Sequence, residues 1–273
     1  MASAALLRET ARLRKELRAL APECPPALDR LRADPAAVLT QAGFPPDPWQ
    51  ATALCSRSSR TLWLCSRQSG KSLTAAALAV REAVLRPGSL VLLLSPTLRQ
   101  SGELFRDKVK RVWQALGRPV AAVQESALTM ELANGSRIVS LPGTEETVRG
   151  YSGVRLLVID EAARVSDALY YAVRPMLAVS RGRLVCLSSA WAKLGWFYDA
   201  WVSGDGWERV RVTAAECPRI SPDFLQEERQ ALGPRWYAME YECEFGDSID
   251  AVFRGEDIDA ALSDGAVKPL FVG

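Results

Sequence analysis

Cys65-Ser66-Arg67-Gln68-Ser69-Gly70-Lys71-Ser72 stands between the apolar run Thr61-Leu62-Trp63-Leu64-Cys65-Ser66 and the stretch LTAAALAVREAVL at 73–85. A short apolar run rich in bulky residues reads as a buried strand. Ala, Leu and Val packed as densely as in 73–85 read as a helix covered on most sides. The octapeptide is therefore a strand-to-helix turn. In that setting a phosphate loop works because N–H groups at the helix N-terminus cradle phosphate oxygens, a Lys reaches the β- and γ-phosphates, and a hydroxyl holds Mg²⁺. Gly70, Lys71 and Ser72 fill those places. The strict pattern GxxxxGK[ST] has Gly where this chain has Cys65, and taken alone the tetrapeptide Ser69-Gly70-Lys71-Ser72 also reads as a plain surface loop.

A second element decides between these readings. Leu156-Leu157-Val158-Ile159-Asp160-Glu161 is an apolar strand ending in two acids. A carboxylate at such a strand end holds the metal, and a second orients and polarises an attacking water, as nucleoside triphosphate hydrolysis requires. Asp160 takes the metal role with Ser72, and Glu161 the water. The competing use, an acidic pair capping the next helix, is weaker in a chain that also carries a phosphate loop. ATP and Mg²⁺ are the expected ligands.

Outward from these two elements, SLVLLLS (89–95), VRLLVID (154–160), RGRLVCLSS (181–189) and WERVRVTA (207–214) read as strands. They alternate with helical stretches at 99–116, 166–179 and 195–203. Near-continuous apolar strands alternating with helices predict an α/β fold with a mostly parallel sheet covered on both faces. Asn134-Gly135 between 128–133 and 136–141 predicts an inserted antiparallel hairpin. Residues 3–20 carry leucines at helical spacing among charges, predicting an amphipathic N-terminal helix. Seven of the 16 prolines fall in 21–48, a loop-rich lead-in with one short helix around 27–33 or 35–42. The expected organisation is a lead-in at 1–44, an ATPase domain at 45–245 and a linker at 246–273.

Composition narrows the chemistry. The 273 residues include no histidine, which excludes Ser-His-Asp triads, Cys-His pairs and HExxH zinc sites. With 34 Lys and Arg against 32 Asp and Glu, a nucleic-acid partner needs a local basic patch. The six cysteines form no CxxC pair and read as reduced core residues of a cytoplasmic protein. No apolar stretch reaches the ~18–20 residues that span a bilayer, so no membrane role is expected.

Several further segments, in order, give the chain a resemblance to a family. They are Pro48-Trp49-Gln50, the arginine-bearing loop Ser66-Arg67-Gln68-Ser69-Gly70-Lys71-Ser72, and Ser95-Pro96-Thr97. Val158-Ile159-Asp160-Glu161-Ala162-Ala163 and Leu187-Ser188-Ser189-Ala190 with Gly195-Trp196-Phe197-Tyr198 follow, then the lead-out over 217–253. Across about 45–273 the chain resembles the ATPase portion of the large terminase subunit of tailed bacteriophages, the motor that packages DNA into proheads. The resemblance implies a RecA-like P-loop NTPase of the ASCE class. It also implies a homo-oligomeric ring acting on double-stranded DNA with portal protein and small terminase subunit, in the cytoplasm of a bacterial host.

The resemblance assigns roles that each have a plainer alternative. Arg67 stabilises transition-state charge or neutralises resting phosphates. Arg149 is an arginine finger reaching a neighbouring subunit or a solvated loop residue. Gln50 reads adenine or satisfies a nearby turn. Ser188 and Ser189 sense the γ-phosphate or cap the next helix, while Gln68 and Ser69 belong to the phosphate loop. The basic residues Arg99, Arg106, Lys108, Lys110 and Arg111 are candidates for DNA backbone contact or a solvated helix face. The family's C-terminal nuclease has no counterpart before Gly273, and the acids Asp247, Asp250, Glu256, Asp257 and Asp259 read as a linker. Two other functions compete with the motor reading: a nucleotide-binding adaptor without turnover, and a helicase-like ATPase, for whose second RecA-like domain the length leaves no room.

Overall fold

The computed structural model describes residues 26–144, 148 and 150–247. The N-terminal helix expected over 3–20, Arg149, Cys24 and the acids beyond Asp247 lie outside the described residues. Six strands run parallel: β1 (Arg60–Cys65), β2 (Leu90–Ser95), β5 (Arg137–Pro142), β6 (Val154–Asp160), β7 (Arg183–Ser188) and β8 (Glu208–Val212). Together with β3 (Ala122–Glu125) and β4 (Thr129–Leu132) they form one sheet in the order β3-β4-β5-β2-β6-β7-β1-β8.

The period of two in a strand explains the two cores. Trp63, Cys65, Val91, Leu93, Leu156, Val158, Val185 and Leu187 face one side, where the helix α4 (Lys71–Leu85) packs. Leu62, Leu64, Leu92, Leu94, Leu157, Ile159, Leu184 and Cys186 face the other, against α7 (Asp167–Val173) and α8 (Gly195–Val202). Each fully buried Leu contributes about 1.5–3 kcal/mol, and both faces need such residues, which is why the strands read as unbroken apolar runs. In α4 the alanines Ala75, Ala76, Ala77 and Ala79 are fully buried; small side chains let this helix lie close on the sheet.

Several features differ from expectation or add to it. The lead-in forms two helices rather than one, α1 (Pro26–Ala33) and α2 (Ala37–Gln41), and Leu28, Leu31, Val38 and Leu39 join the core that holds α4. The hairpin around Asn134-Gly135 is no insertion: β5 pairs in parallel with β2, so the hairpin extends the main sheet, and β3 adds an edge strand. The helix expected at 99–116 is interrupted, with α5 (Leu98–Glu103) and α6 (Arg111–Ala115) flanking a π-helical stretch, Leu104–Lys110. The lead-out contains a long helix, α9 (Pro222–Tyr241), broken where Gly233 turns left-handed at φ +72° and Pro234 restarts it. Of the cysteines, Cys65, Cys186, Cys217 and Cys243 are buried thiols, but Cys55 is exposed.

Candidate active site

The carboxyl ends of the parallel strands share one edge of the sheet, where ligands of open α/β folds bind. β1 delivers the phosphate loop there and β6 delivers Asp160 and Glu161, with β7 and its terminal Ser188 between them. The loop turns by two left-handed residues, Gln68 (φ +60°) and Gly70 (φ +89°), and Gly70 caps α4. A Cβ on Gly70 would lie 2.8 Å from Gln50 Nε2, so the position needs glycine for its conformation and for space. The α4 N-terminus then presents its free N–H groups and positive dipole end.

Asp160 is 8% exposed, and its Oδ2 accepts from Ser72 Oγ at 3.1 Å while its Oδ1 accepts from the Glu161 N–H at 2.9 Å. Burial, and next the Glu161 charge, push its carboxyl up to about 6. Lys71 Nζ sits 3.8 Å from Glu161 Oε1. Glu161 itself adopts φ +50°, a conformation that costs a non-glycine residue on the order of 1 kcal/mol and clusters at functional sites. It makes no side-chain cap to the 3₁₀ turn that follows, so the helix-capping alternative for the acidic pair is not realised.

Ser72, Asp160 and Glu161 line a cavity of about 310 Å³ that also receives Ser95 from the end of β2 and Gln100 and Lys108 from the interrupted helix. π-helical segments recur at functional sites, and this one forms a wall of the cavity. Among the described residues, Ser95 Oγ and Ser188 Oγ are buried without a hydrogen-bond partner. The N-terminal residues of α8 are held by Asp167 Oδ1, which accepts from Trp196 N at 2.8 Å, so capping there does not fall to Ser188 or Ser189. Both serines are buried, at 1% and 3% exposure.

A brace lies behind the loop. Gln50 Oε1 accepts from Asp47 N at 2.9 Å, and Gln50 Nε2 donates to Thr74 Oγ1 at 2.8 Å. Thr74 Oγ1 in turn donates to the Gly70 carbonyl at 3.0 Å. Arg219 donates to Asp47 Oδ1 at 2.6 Å and to the Ser69 carbonyl at 2.9 Å. Of the two uses open to Gln50, satisfying a turn is the one its bonds serve. Ser69 Oγ closes the loop on the Ser66 carbonyl at 2.8 Å. Cys65, where other phosphate loops have Gly, is fully buried, and burial pushes its thiol far up, so it is inert packing. Arg67 reaches sideways: its Nε donates to Glu240 Oε2 at 2.8 Å.

A family described as terminase large subunit, T4likevirus-type, N-terminal, matches residues 62–260. The chain belongs to this family. The terminase large subunit of Thermus phage G20c is 26% identical over 252 aligned positions, covering 79% of this chain and 52% of the relative. That of Escherichia phage T5 is 27% identical over 251 positions, covering 85% and 54%. The chain thus spans about half the length of the curated relatives it matches. Among solved structures, the large terminase ATPase domain of Thermus phage P74-26 superposes with a TM-score of 0.66 at 23% identity, covering 76% of this chain and 96% of that one. The large terminase of another thermophilic bacteriophage, in complex with ADP, gives 0.60 at 13% identity, covering 76% and 52%. The terminase fold is thereby shared: the mostly parallel sheet expected from the strands and the RecA-like architecture that the resemblance implied are the ones observed.

In this terminase chain the structure brings together Arg67, Gln68, Ser69, Gly70, Lys71, Ser72, Asp160, Glu161, Ser188 and Ser189 at one sheet edge, with Gln50 behind them. Ser95, Arg219 and Glu240, which lie in segments that carried the resemblance but had no role assigned, and Asp47 and Arg164, which carried no sequence signal, complete the surroundings. The basic residues 99–111 divide: Arg99 pairs with Glu103, Arg106 with Asp107 and Lys110 with Glu125, while Arg111 lies over the Phe44 ring. Asp247 pairs with Lys193 at 3.1 Å. Among the described residues no helix is long and apolar enough to cross a membrane.

Proposed function

We propose that the chain is the ATP-hydrolysing part of a DNA-packaging motor, working as a ring of identical subunits on double-stranded DNA with portal protein and small terminase subunit as partners. The observation that carries it is the convergence of Ser72, Asp160 and Glu161 on one cavity, with Lys71 Nζ 3.8 Å from Glu161 Oε1. Mg²⁺ fits the donor set: a buried carboxylate and an adjoining hydroxyl are hard oxygen ligands. Among the described residues no group of three or more acids, Cys or His could hold a metal alone, and Mg²⁺ usually takes one or two carboxylates plus substrate phosphates. Ser72 Oγ and Asp160 would hold it, and it would neutralise phosphate charge.

The chain's own residues do the rest. The α4 N-terminus and Lys71 bind the β- and γ-phosphates, which releases Lys71 from Glu161. Glu161, freed and already on a strained backbone, orients the attacking water and accepts its proton. Arg67 places positive charge beside the γ-phosphate, and Ser188, whose hydroxyl at the end of β7 has no partner among the described residues, registers its presence. Arg149 of a neighbouring subunit supplies a second guanidinium.

The test is Mg²⁺-dependent ATP hydrolysis per subunit over a range of protein concentrations, with Arg149→Ala beside the wild type. Specific activity should rise with concentration in the wild type and stay at its low-concentration level in the variant. Activity independent of concentration would sink the trans role, and tight ATP binding without turnover at any concentration would establish the adaptor reading instead.

A further inference from the structure

Glu240 lies on the half of α9 that follows the Gly233 break and is only 8% exposed. A carboxylate so placed is costly unless it is paired, and its partners come from both loops of the site. Its Oε2 accepts from Arg67 Nε at 2.8 Å, and its backbone carbonyl accepts from the Arg67 N–H at 2.9 Å. Its Oε1 is 4.0 Å from Arg164 Nη2, three residues beyond Glu161, and the Arg164 guanidinium lies 4.3 Å over the Trp191 ring. Arg67 is thus held by its Nε, while its Nη groups make no hydrogen bond among the described residues and its side chain stays 58% exposed.

We propose that Glu240 is a positioning residue for hydrolysis, gripping Arg67 by Nε so that the Nη edge of the guanidinium is free for the γ-phosphate. Through Arg164 the same carboxylate ties that placement to the loop that carries Glu161. An arginine left ungripped spreads over many rotamers, and a charge that must be brought back into place at each turnover stabilises the transition state less. The proposal rests on reading the site as an ATPase.

A double-mutant cycle on the purified chain tests it, using Glu240→Gln, Arg67→Ala and the pair, with kcat and KM for ATP measured at one saturating protein concentration. Glu240→Gln should lower kcat by about tenfold, as expected for a misplaced catalytic contact, with KM within about twofold. In the Arg67→Ala background the same change should have no further effect. An equal loss in both backgrounds, or no loss in either, would overturn the proposal while leaving the ATPase reading intact. Arg67→Ala with unchanged kcat would overturn both the catalytic role of Arg67 and the proposal, and a wild type that does not hydrolyse ATP would overturn the parent reading with it. If Glu240→Gln does not fold, Glu240→Asp keeps the charge but withdraws it by one methylene, and the same cycle applies to it.

Discussion

Asp160 pays for its position with an unfavourable charge. Its carboxyl stands at about 6 in the folded chain against an ordinary value of 3.8, from burial first and the Glu161 charge second. A folded-state value raised in this way means a stabilising contribution that is complete below about pH 4 and lost as pH rises through about 6. At ~1.4 kcal/mol per pKa unit, the ionised group destabilises the metal-free protein by about 3 kcal/mol near neutral pH. Asp160→Asn should therefore raise stability in urea at pH 7.5 without Mg²⁺ by up to that amount, leave it nearly unchanged at pH 4, and abolish hydrolysis. A variant no more stable than wild type at pH 7.5 would refute the electrostatic account. The pairing of Asp160 with Ser72 was legible in the sequence because both residue types sit at fixed offsets from a strand end. Glu240, Arg219 and Asp47 were not, because each meets the loop from a distant part of the chain by contacts that no local pattern encodes.

At the scale of elements, the phosphate loop is a strand, a turn and a helix whose geometry depends on a side chain outside all three. Gln50, on α3 (Pro48–Cys55), bonds backward to Asp47 N and forward to Thr74 on α4. Gln50→Ala leaves a buried N–H and a buried hydroxyl each short of a partner, which costs about 1–3 kcal/mol. It should lower the unfolding free energy by that amount and weaken ATP and GTP binding alike, since the loop serves the phosphates that both share. A loss confined to ATP, measured by titration of each nucleotide, would restore the adenine-reading role. The strong strands were legible because β1, β2, β6 and β7 are buried on both faces. β3 was not, since Ala122–Glu125 is intermediate to exposed throughout and has no apolar period to reveal it. The helix interruption at Leu104–Lys110 was hidden too, because Phe105, Val109 and Val112, all buried, stand four and three residues apart and so read as one α-helical face.

At the scale of the molecule, the active edge is closed by segments that come before and after the sheet. Arg219 and α9 return to the phosphate loop, and the stretch beyond α9 pairs back onto the loop after β7, with Gly246 N donating to the Trp191 carbonyl at 2.9 Å and Lys193 N to the Gly246 carbonyl at 2.8 Å. The loop that follows Ser188 and Ser189 is thus joined by backbone hydrogen bonds to the segment that follows α9. Sequence order alone revealed the family, because its motifs fall at the ends of successive strands; the closing contacts depend on how the chain folds back, which order does not specify.

The central claim, that Glu161 drives water onto ATP held by Lys71 and Ser72, is tested most directly by measuring ATP affinity and turnover side by side in the wild type and Glu161→Gln. The account predicts turnover in the wild type and a variant that binds ATP within a few-fold of wild type while hydrolysis falls by about 10²–10⁴-fold, the span typical of a lost general base. Hydrolysis that persists in Glu161→Gln at more than a tenth of the wild-type rate would contradict it.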